Sequence, residues 1–149
     1  MFTHVMLHHS LTTDSGTVSW GAIRRYHVDE LGWADIGYHA GIELVVDRYE
    51  VLIGRLWDRD GAHCHQGGMN RAAFGLCLVG NFDLAPPPPE QWDLAVRFVR
   101  WLASAYVVCP ASRIVGHRDY APKSCPGAQF DLARFREDVA GTMPGRLYA

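Results

Sequence analysis

The sequence has little excess charge of either sign and no long apolar run. Its 149 residues include 14 basic and 16 acidic side chains, for a formal net charge of -2. That balance provides no general attraction for phosphates, so it disfavours a nucleic acid partner. Uncharged stretches such as residues 101–112 are far shorter than the ~20 apolar residues that cross a bilayer. We therefore expect no membrane segment.

The N terminus lacks the features of a secretory signal, and the chain lacks repeats and biased segments. No lysine or arginine precedes the apolar part of MFTHVMLHHS, and no small-residue cleavage site follows it. We expect a first strand there and synthesis in the cytoplasm. A hydrophobic fraction of 48% and a charged fraction of 20% are typical of a globular protein. The length suits a single domain over residues 1–149, which would bury about 68–70% of the unfolded chain's surface.

Cysteine is scarce, with four residues in the chain. An even number permits disulfides, but a domain of this size without a signal peptide does not need them, so we expect free thiols. Cys77 lies in an apolar run and is predicted to be a core residue. Cys64 and Cys109 lie near predicted loops, where oxidation to a bridge is the alternative.

The hydrophobic pattern predicts a mixed α/β fold, with a central sheet flanked by about three helices. Strands are expected at residues 2–8, 74–82 and 113–117, and the second of these is apolar enough to be covered on both faces. Residues 39–55 hold two β-branched runs around a four-residue turn, Asp47 to Glu50, which is typical of a hairpin.

Three helices are expected. A polar stretch around residues 14–16 leads to Ser19, the predicted N-cap of a helix that runs to about Leu31 and ends at Gly32. Residues 86–89 are a proline connector before a long helix. Asp131 is predicted to cap a last helix that ends near Ala140. The long helix carries one stripe of predicted core residues: Leu94, Ala95, Phe98, Trp101, Leu102, Ala105 and Tyr106.

The most informative segment is GHRDYAPKSCPG, residues 116–127, which places an imidazole, an ammonium and a thiol in one turn-rich loop. Pro122, Pro126 and Gly127 allow this loop to fold back and bring His117 and Cys125 together. Imidazole and thiolate are zinc ligands, so the loop indicates a zinc site. The alternative interpretation makes the cysteine a buried thiol and the histidine a strand cap.

A third ligand is predicted far upstream. Residues 5–12, VMLHHSLT, end an apolar run in a histidine pair, as a strand does when it delivers a ligand to a sheet edge, and we assign His8. Three protein ligands leave one position of the ion open, which distinguishes a catalytic zinc site from a structural one. Such an ion polarises a carbonyl and lowers the pKa of bound water toward about 7.

Other side chains near the predicted site have a functional and an ordinary interpretation. Lys123 precedes Cys125 by two residues, so its ammonium is placed to stabilise negative charge, unless it is a solvated surface lysine. Asp119 is placed to orient a ligand imidazole or a loop amide, or it is a turn residue. Tyr38 either donates a hydrogen bond to a developing oxyanion or packs at a strand edge, and His39 is expected to be a hydrogen-bonded core histidine.

Four segments in this order, LHHS, GWADIGYH, GLCLVGNFD and GHRDYAPKSCPG, resemble the type-2 N-acetylmuramoyl-L-alanine amidases over nearly the whole chain. The related peptidoglycan recognition proteins share the same fold. Small phage amidases are the most similar type by length and by the tyrosine and lysine. The resemblance implies a zinc amidase fold of the peptidoglycan recognition protein type.

The resemblance also implies residue roles. His8, His117 and Cys125 correspond to the zinc ligands, and Tyr38 and Lys123 to catalytic side chains. The first histidine of the pair is the family's ligand, so His9 is not one. Some members carry glutamate at the tyrosine position, which would be an obvious general base and leaves the base of this chain unassigned.

His63 and Asn70 match positions that line the family's substrate groove, although a loop-stabilising role is an equal alternative. Ala73 stands where relatives often have serine, so one polar contact with substrate is expected to be missing. Relatives that lost the cysteine bind peptidoglycan without cutting it, and this chain keeps Cys125.

The implied activity is hydrolysis of the amide between N-acetylmuramic acid and the L-alanine of the stem peptide, in endolysin-like cell-wall lysis. One catalytic Zn²⁺ and a peptidoglycan or muropeptide substrate are expected, with the protein acting as a monomer. A lysis enzyme without a signal peptide would reach the cell wall or periplasm after a separate membrane-permeabilising protein releases it. The alternative is a noncatalytic module or inhibitor that binds muropeptide in the same groove.

Overall fold

The computed structural model describes residues 1–13, 19–107 and 109–141. The polar stretch at residues 14–16 lies outside this part of the chain. Five strands form one mixed sheet, and they are β1 (His4–His9), β2 (Ala40–Val45), β3 (Arg48–Ile53), β4 (Ala73–Leu78) and β5 (Ile114–Gly116). The strand order is β3-β2-β4-β1-β5. Only the β2–β3 pair is antiparallel among these strands. The predicted mixed α/β class is confirmed.

Four α-helices are present in the described residues: α1 (Trp20–Arg25), α2 (Met69–Ala72), α3 (Pro89–Trp101) and α4 (Leu132–Ala140). π-Helical turns extend α1 over Tyr26–Glu30 and α3 over Leu102–Tyr106. Both predicted N-caps are confirmed, because the side chains of Ser19 and Asp131 accept hydrogen bonds from the first turns of α1 and α4. No helix in these residues is long and apolar enough to cross a membrane.

The two faces of the sheet have different roles. Side chains alternate between the faces of a strand, so Phe74, Leu76 and Leu78 of β4 point into the main core beneath α3 and α4. Cys77 and Gly75 of the same strand point to the opposite face. In β1, Val5 and Leu7 belong to the main core, whereas Met6 and His8 lie on the other face. That second face carries the candidate site.

The predicted four-residue hairpin turn, Asp47 to Glu50, is wrong. Arg48 begins β3 and pairs with Val45, so Val46 and Asp47 alone join the strands. Val46 adopts a φ of 60°. This left-handed conformation is unusual for a β-branched residue, and no residue pattern therefore indicated the tighter turn.

The prediction that all aromatic residues of the long helix are core residues is also wrong. Trp101 is 49% exposed and Tyr106 is 36% exposed, although the tyrosine hydroxyl donates a hydrogen bond to the carbonyl of Trp57. The helix changes from i→i+4 to i→i+5 hydrogen bonding after Trp101, which turns later residues away from the predicted stripe.

The four cysteines are free thiols, as predicted, and all of them are buried. Cys77 is completely inaccessible at the centre of the sheet. Cys64 and Cys109 are also buried, as free cysteines in folded proteins commonly are.

Candidate active site

The fold brings the three predicted metal ligands together. His8 lies near the end of β1, His117 follows β5 directly, and Cys125 lies in the loop beyond. One ligand atom from each residue lies within 4.8 Å of the other two, and all three residues are buried. Among the residues that the structure describes, this is the one such cluster of histidine, cysteine and acidic side chains.

The donor atoms suit a tetrahedral zinc ion. Zinc bonds of about 2.0–2.1 Å to nitrogen and about 2.3 Å to sulfur would separate two ligand atoms by about 3.6 Å. The distance between Nδ1 of His8 and Sγ of Cys125 is 3.6 Å. Two imidazoles and one thiol also leave one position of a tetrahedral ion for water or substrate.

Sheet topology and a folded-back loop explain the convergence. β1 and β5 are parallel neighbours, with Leu7 paired to Gly116, so the residues that follow them emerge side by side. The loop returns to this edge because the backbone N–H of Arg118 donates to the carbonyl of Cys125 at 2.7 Å. The guanidinium of Arg118 also donates to the carbonyl of Gly127. These bonds fix the spacing between the two ligands of the loop.

Asp119 stabilises the ligand loop rather than a ligand ring. Its carboxylate accepts a hydrogen bond from the backbone N–H of Gly116 at 3.0 Å and lies 3.5 Å from the Arg136 guanidinium. The contact with a loop amide is one of the two roles expected from the sequence. It holds the turn in which His117 lies.

Burial keeps the ligand imidazoles neutral. It lowers the pKa of His117 to about 4, with help from the positive charge of Lys123. Burial also lowers the pKa of His8 well below its usual value, with the neighbouring His63 and His117 acting in the same direction. Neutral imidazoles are the form that binds a metal ion.

Burial disfavours ionisation of the Cys125 thiol. Burial raises its pKa to about 11, although a hydrogen bond from the backbone N–H of His9 and the charge of Lys123 act in the opposite direction. The same hydrogen bond and the same ammonium group would stabilise the thiolate in a metal complex.

The buried histidines predict acid sensitivity of the metal-free protein. Burial lowers the pKa of His63 to about 3, whereas an unfolded histidine titrates near 6.5. Below pH 6.5 the unfolded chain therefore takes up protons that the folded chain does not. The free energy of unfolding should be highest above pH 6.5 and fall as the pH decreases toward 4. His63 alone would account for up to about 2 kcal/mol between pH 6.5 and 5, and His8 and His117 act in the same direction.

Urea unfolding of the metal-free protein at pH 7, 6 and 5 measures this effect. The midpoint should shift to lower urea concentration at each acid step. Equal stability at pH 7 and pH 5 would show that these imidazoles are accessible to protons in the folded state.

Tyr38 and Lys123 line the same cleft as the three ligands, which has a volume of about 520 Å³. The Tyr38 ring centroid lies 5.1 Å from that of His8. Burial raises the pKa of Tyr38 well above its usual value, so the phenol stays protonated. Lys123 is exposed at the rim, where its charge acts on both His117 and Cys125.

His63 and Asn70 lie beside the cleft, in contact with other parts of the protein. Nδ1 of His63 is 3.1 Å from Nε2 of His8. The side-chain oxygen of Asn70 accepts the backbone N–H groups of both His63 and Cys64 at 2.7 Å. Asn70 therefore has the loop-stabilising contacts that were one of its two expected roles, and a contact of either side chain with substrate stays a prediction.

His39 is a hydrogen-bonded core histidine, as expected. Its Nδ1 accepts the backbone N–H of Gly75, and its Nε2 lies 3.0 Å from the carbonyl oxygen of Arg59. Sequence reasoning missed Trp33, which lines the cleft and stacks on His27 with ring centroids 4.6 Å apart. A tryptophan in the loop just before Tyr38 was the available signal, since large aromatic side chains often form the walls of binding clefts.

The chain is similar in sequence to known proteins. Residues 2–128 match the family described as N-acetylmuramoyl-L-alanine amidase. The endolysin of Enterobacteria phage K11 is 32% identical over 134 residues, which cover 87% of this chain and 82% of the endolysin.

Solved structures show the same fold. The amidase LysC from Clostridium intestinale superposes with a TM-score of 0.76 at 24% identity, over 95% of this chain and 88% of LysC. A point mutant of Drosophila peptidoglycan recognition protein LB, solved in complex with tracheal cytotoxin, has a TM-score of 0.73 at 26% identity. That match covers 89% of this chain and 79% of the Drosophila protein.

Proposed function

This chain belongs to the N-acetylmuramoyl-L-alanine amidase family, and on that premise we propose that it is a zinc-dependent peptidoglycan amidase. The proposed reaction is hydrolysis of the amide between the lactyl group of N-acetylmuramic acid and the L-alanine of the stem peptide. The observation that carries the proposal is the convergence of His8, His117 and Cys125 at the floor of an open cleft. Family members without such a thiol would lack the third ligand.

A zinc ion held by these three residues would supply a Lewis acid that polarises the scissile carbonyl and lowers the pKa of water. The chain's own groups would do the rest. Tyr38 keeps its proton and faces the ligands, so its hydroxyl can donate to the oxygen of the scissile carbonyl as negative charge develops there. Lys123 would stabilise the same charge from the rim of the cleft.

The cleft suits a polymeric substrate. It is open to solvent, and Trp33 and Tyr38 both form part of its wall. An aromatic wall can pack against the apolar faces of a sugar or a short peptide. Tracheal cytotoxin, the ligand in the Drosophila complex, is a muropeptide, which supports a substrate of that class here.

We propose a role in cell-wall lysis, because the similar phage proteins are endolysins. The cell wall or periplasm would then be the site of action, after release through the membrane by another protein. We further propose that residues 1–149 form one catalytic domain that acts as a monomer. The family match over residues 2–128 supports the first part of that proposal.

Removal of the metal should abolish activity. We expect the chelator-treated protein to release less than about one hundredth of the soluble material from purified peptidoglycan that the zinc-loaded protein releases. One equivalent of zinc should restore the rate, and magnesium should not, because imidazole and thiolate are poor ligands for magnesium. Full activity of the metal-free protein, with folding verified by circular dichroism, would contradict the zinc mechanism.

A noncatalytic peptidoglycan-binding module is the second candidate, favoured by the complex of the Drosophila relative with a muropeptide. The presence of Cys125 argues against it, because a binding groove does not need a third metal ligand. Binding to peptidoglycan that persists with chelator, without bond cleavage at saturating zinc, would support this candidate.

A further inference from the structure

The hydrogen-bond partner of His8 points to a role for His63 that a groove-lining residue would not have. Nδ1 of His8 faces Cys125 and is the atom suited to bind the metal. The other ring nitrogen, Nε2, lies 3.1 Å from Nδ1 of His63, and this contact is buried. A histidine that binds a metal through one nitrogen must carry its proton on the other, and that N–H needs an acceptor.

The far side of the His63 ring determines the direction of this hydrogen bond. Nε2 of His63 lies 3.1 Å from the carbonyl oxygen of Ala73. A carbonyl only accepts, so Nε2 of His63 carries a proton, and in the neutral ring Nδ1 is then an acceptor. Nε2–H of His8 therefore donates to His63, and Nδ1 of His8 keeps its lone pair. The chain of hydrogen bonds thus runs from His8 through His63 to the backbone of β4.

The His63 ring packs tightly against two glycines. A Cβ atom on either Gly61 or Gly75 would overlap the ring, so both positions accept only glycine while the ring stays in place. Asn70 fixes the backbone of the same residue, since its side-chain oxygen accepts the N–H of His63 at 2.7 Å. These contacts hold the ring at one distance from His8.

We propose that His63 is a positioning residue of the metal site, which holds His8 in the tautomer that leaves Nδ1 free for zinc. The inference rests on the proposed function and deepens it. The acceptor is a neutral imidazole rather than a carboxylate, so the hydrogen bond is made without adding a second negative charge beside the thiolate.

Two substitutions distinguish the roles of the two ring nitrogens of His63. In His63→Asn the side-chain oxygen can occupy the position of Nδ1 and accept the hydrogen bond from His8. In His63→Gln the terminal amide instead reaches the position of Nε2, so His8 loses its acceptor. We expect zinc affinity, measured by competition with a chromogenic chelator, to fall about 10- to 100-fold in His63→Gln and His63→Ala. His63→Asn should stay within about threefold of wild type.

A matched control tests for general damage. His39 is also buried, but both of its ring nitrogens bond the backbone, so it has no hydrogen bond with a proposed metal ligand. His39→Ala should lower stability and leave zinc affinity in the folded protein near that of wild type. An equal loss of zinc affinity in His39→Ala and His63→Ala would overturn the positioning role.

The tautomer can also be observed without any substitution. Long-range ¹H–¹⁵N NMR of the wild-type protein should show His8 protonated on Nε2, in both the metal-free and the zinc-loaded forms. Protonation of His8 on Nδ1 in the metal-free form, or unchanged zinc affinity in His63→Ala with reduced activity, would overturn the proposal in favour of a substrate contact. Failure of the wild-type protein to bind zinc would instead contradict the proposed function itself.

Discussion

Replacement of Cys125 by serine should abolish peptidoglycan cleavage. The hydroxyl of serine is a much weaker zinc ligand than a thiolate, so the site would keep only the two imidazoles. We expect zinc affinity to fall by more than about 100-fold, and turnover to fall with it. Loss of a residue that only hydrogen bonds to a ligand typically costs less, about 10- to 100-fold. Zinc competition and cleavage of purified peptidoglycan, at low free zinc, measure the two effects.

Cys109→Ser is the matched control. Cys109 is 8% exposed and Cys125 is 9% exposed, so both variants place a hydroxyl in a similarly buried position. Cys109 packs in the main core away from the cleft. The control should lose some stability and keep both zinc binding and turnover. Full activity of Cys125→Ser at low zinc would show that the ligand assignment is wrong.

Replacement of Tyr38 by phenylalanine should slow the chemical step without weakening zinc binding. The variant keeps the ring beside His8 and loses only the hydroxyl that would donate to the developing oxyanion. Loss of one such donor typically costs about 100- to 1,000-fold in kcat. We expect a decrease of that size in kcat, with a nearly unchanged KM for a soluble muropeptide and unchanged zinc affinity.

Tyr106→Phe is the matched control. It also removes a phenol hydroxyl, but one outside the cleft that donates a hydrogen bond to the carbonyl of Trp57. Its kcat should match that of wild type. If Tyr38→Phe also keeps the wild-type kcat, Tyr38 is a packing residue, which is the ordinary interpretation of a tyrosine at a strand edge. If Lys123→Met also kept the wild-type kcat, neither of the two proposed side chains would stabilise the oxyanion.

The cluster of His8, His117 and Cys125 was predictable because its chemistry is visible in the sequence. An imidazole and a thiol in one turn-rich loop, and a histidine pair at the end of an apolar strand, are informative before any fold is known. The parallel pairing of β1 with β5 then explains why His8 and His117 meet. The strands and caps followed from equally local signals, such as Ser19 before α1.

The contacts that tune the site were less visible. The hydrogen bond between His8 and His63 joins residues 55 positions apart, and no local pattern indicates it. Only family resemblance indicated that His63 lies beside the groove. The hairpin turn was missed because Val46 adopts a left-handed conformation that its side chain disfavours. The exposure of Tyr106 follows from a change in helical hydrogen bonding after Trp101 that residue periodicity does not reveal.

Mass spectrometry of purified peptidoglycan, after incubation with the zinc-loaded protein and in parallel with a chelator-treated sample, identifies the bond that the protein cleaves. A zinc amidase should produce newly free L-alanine amino termini and free lactyl carboxylates on N-acetylmuramic acid, both absent from the chelator-treated sample. Cleavage at a glycosidic bond or within the stem peptide, or free L-alanine termini in equal amounts without metal, would contradict it.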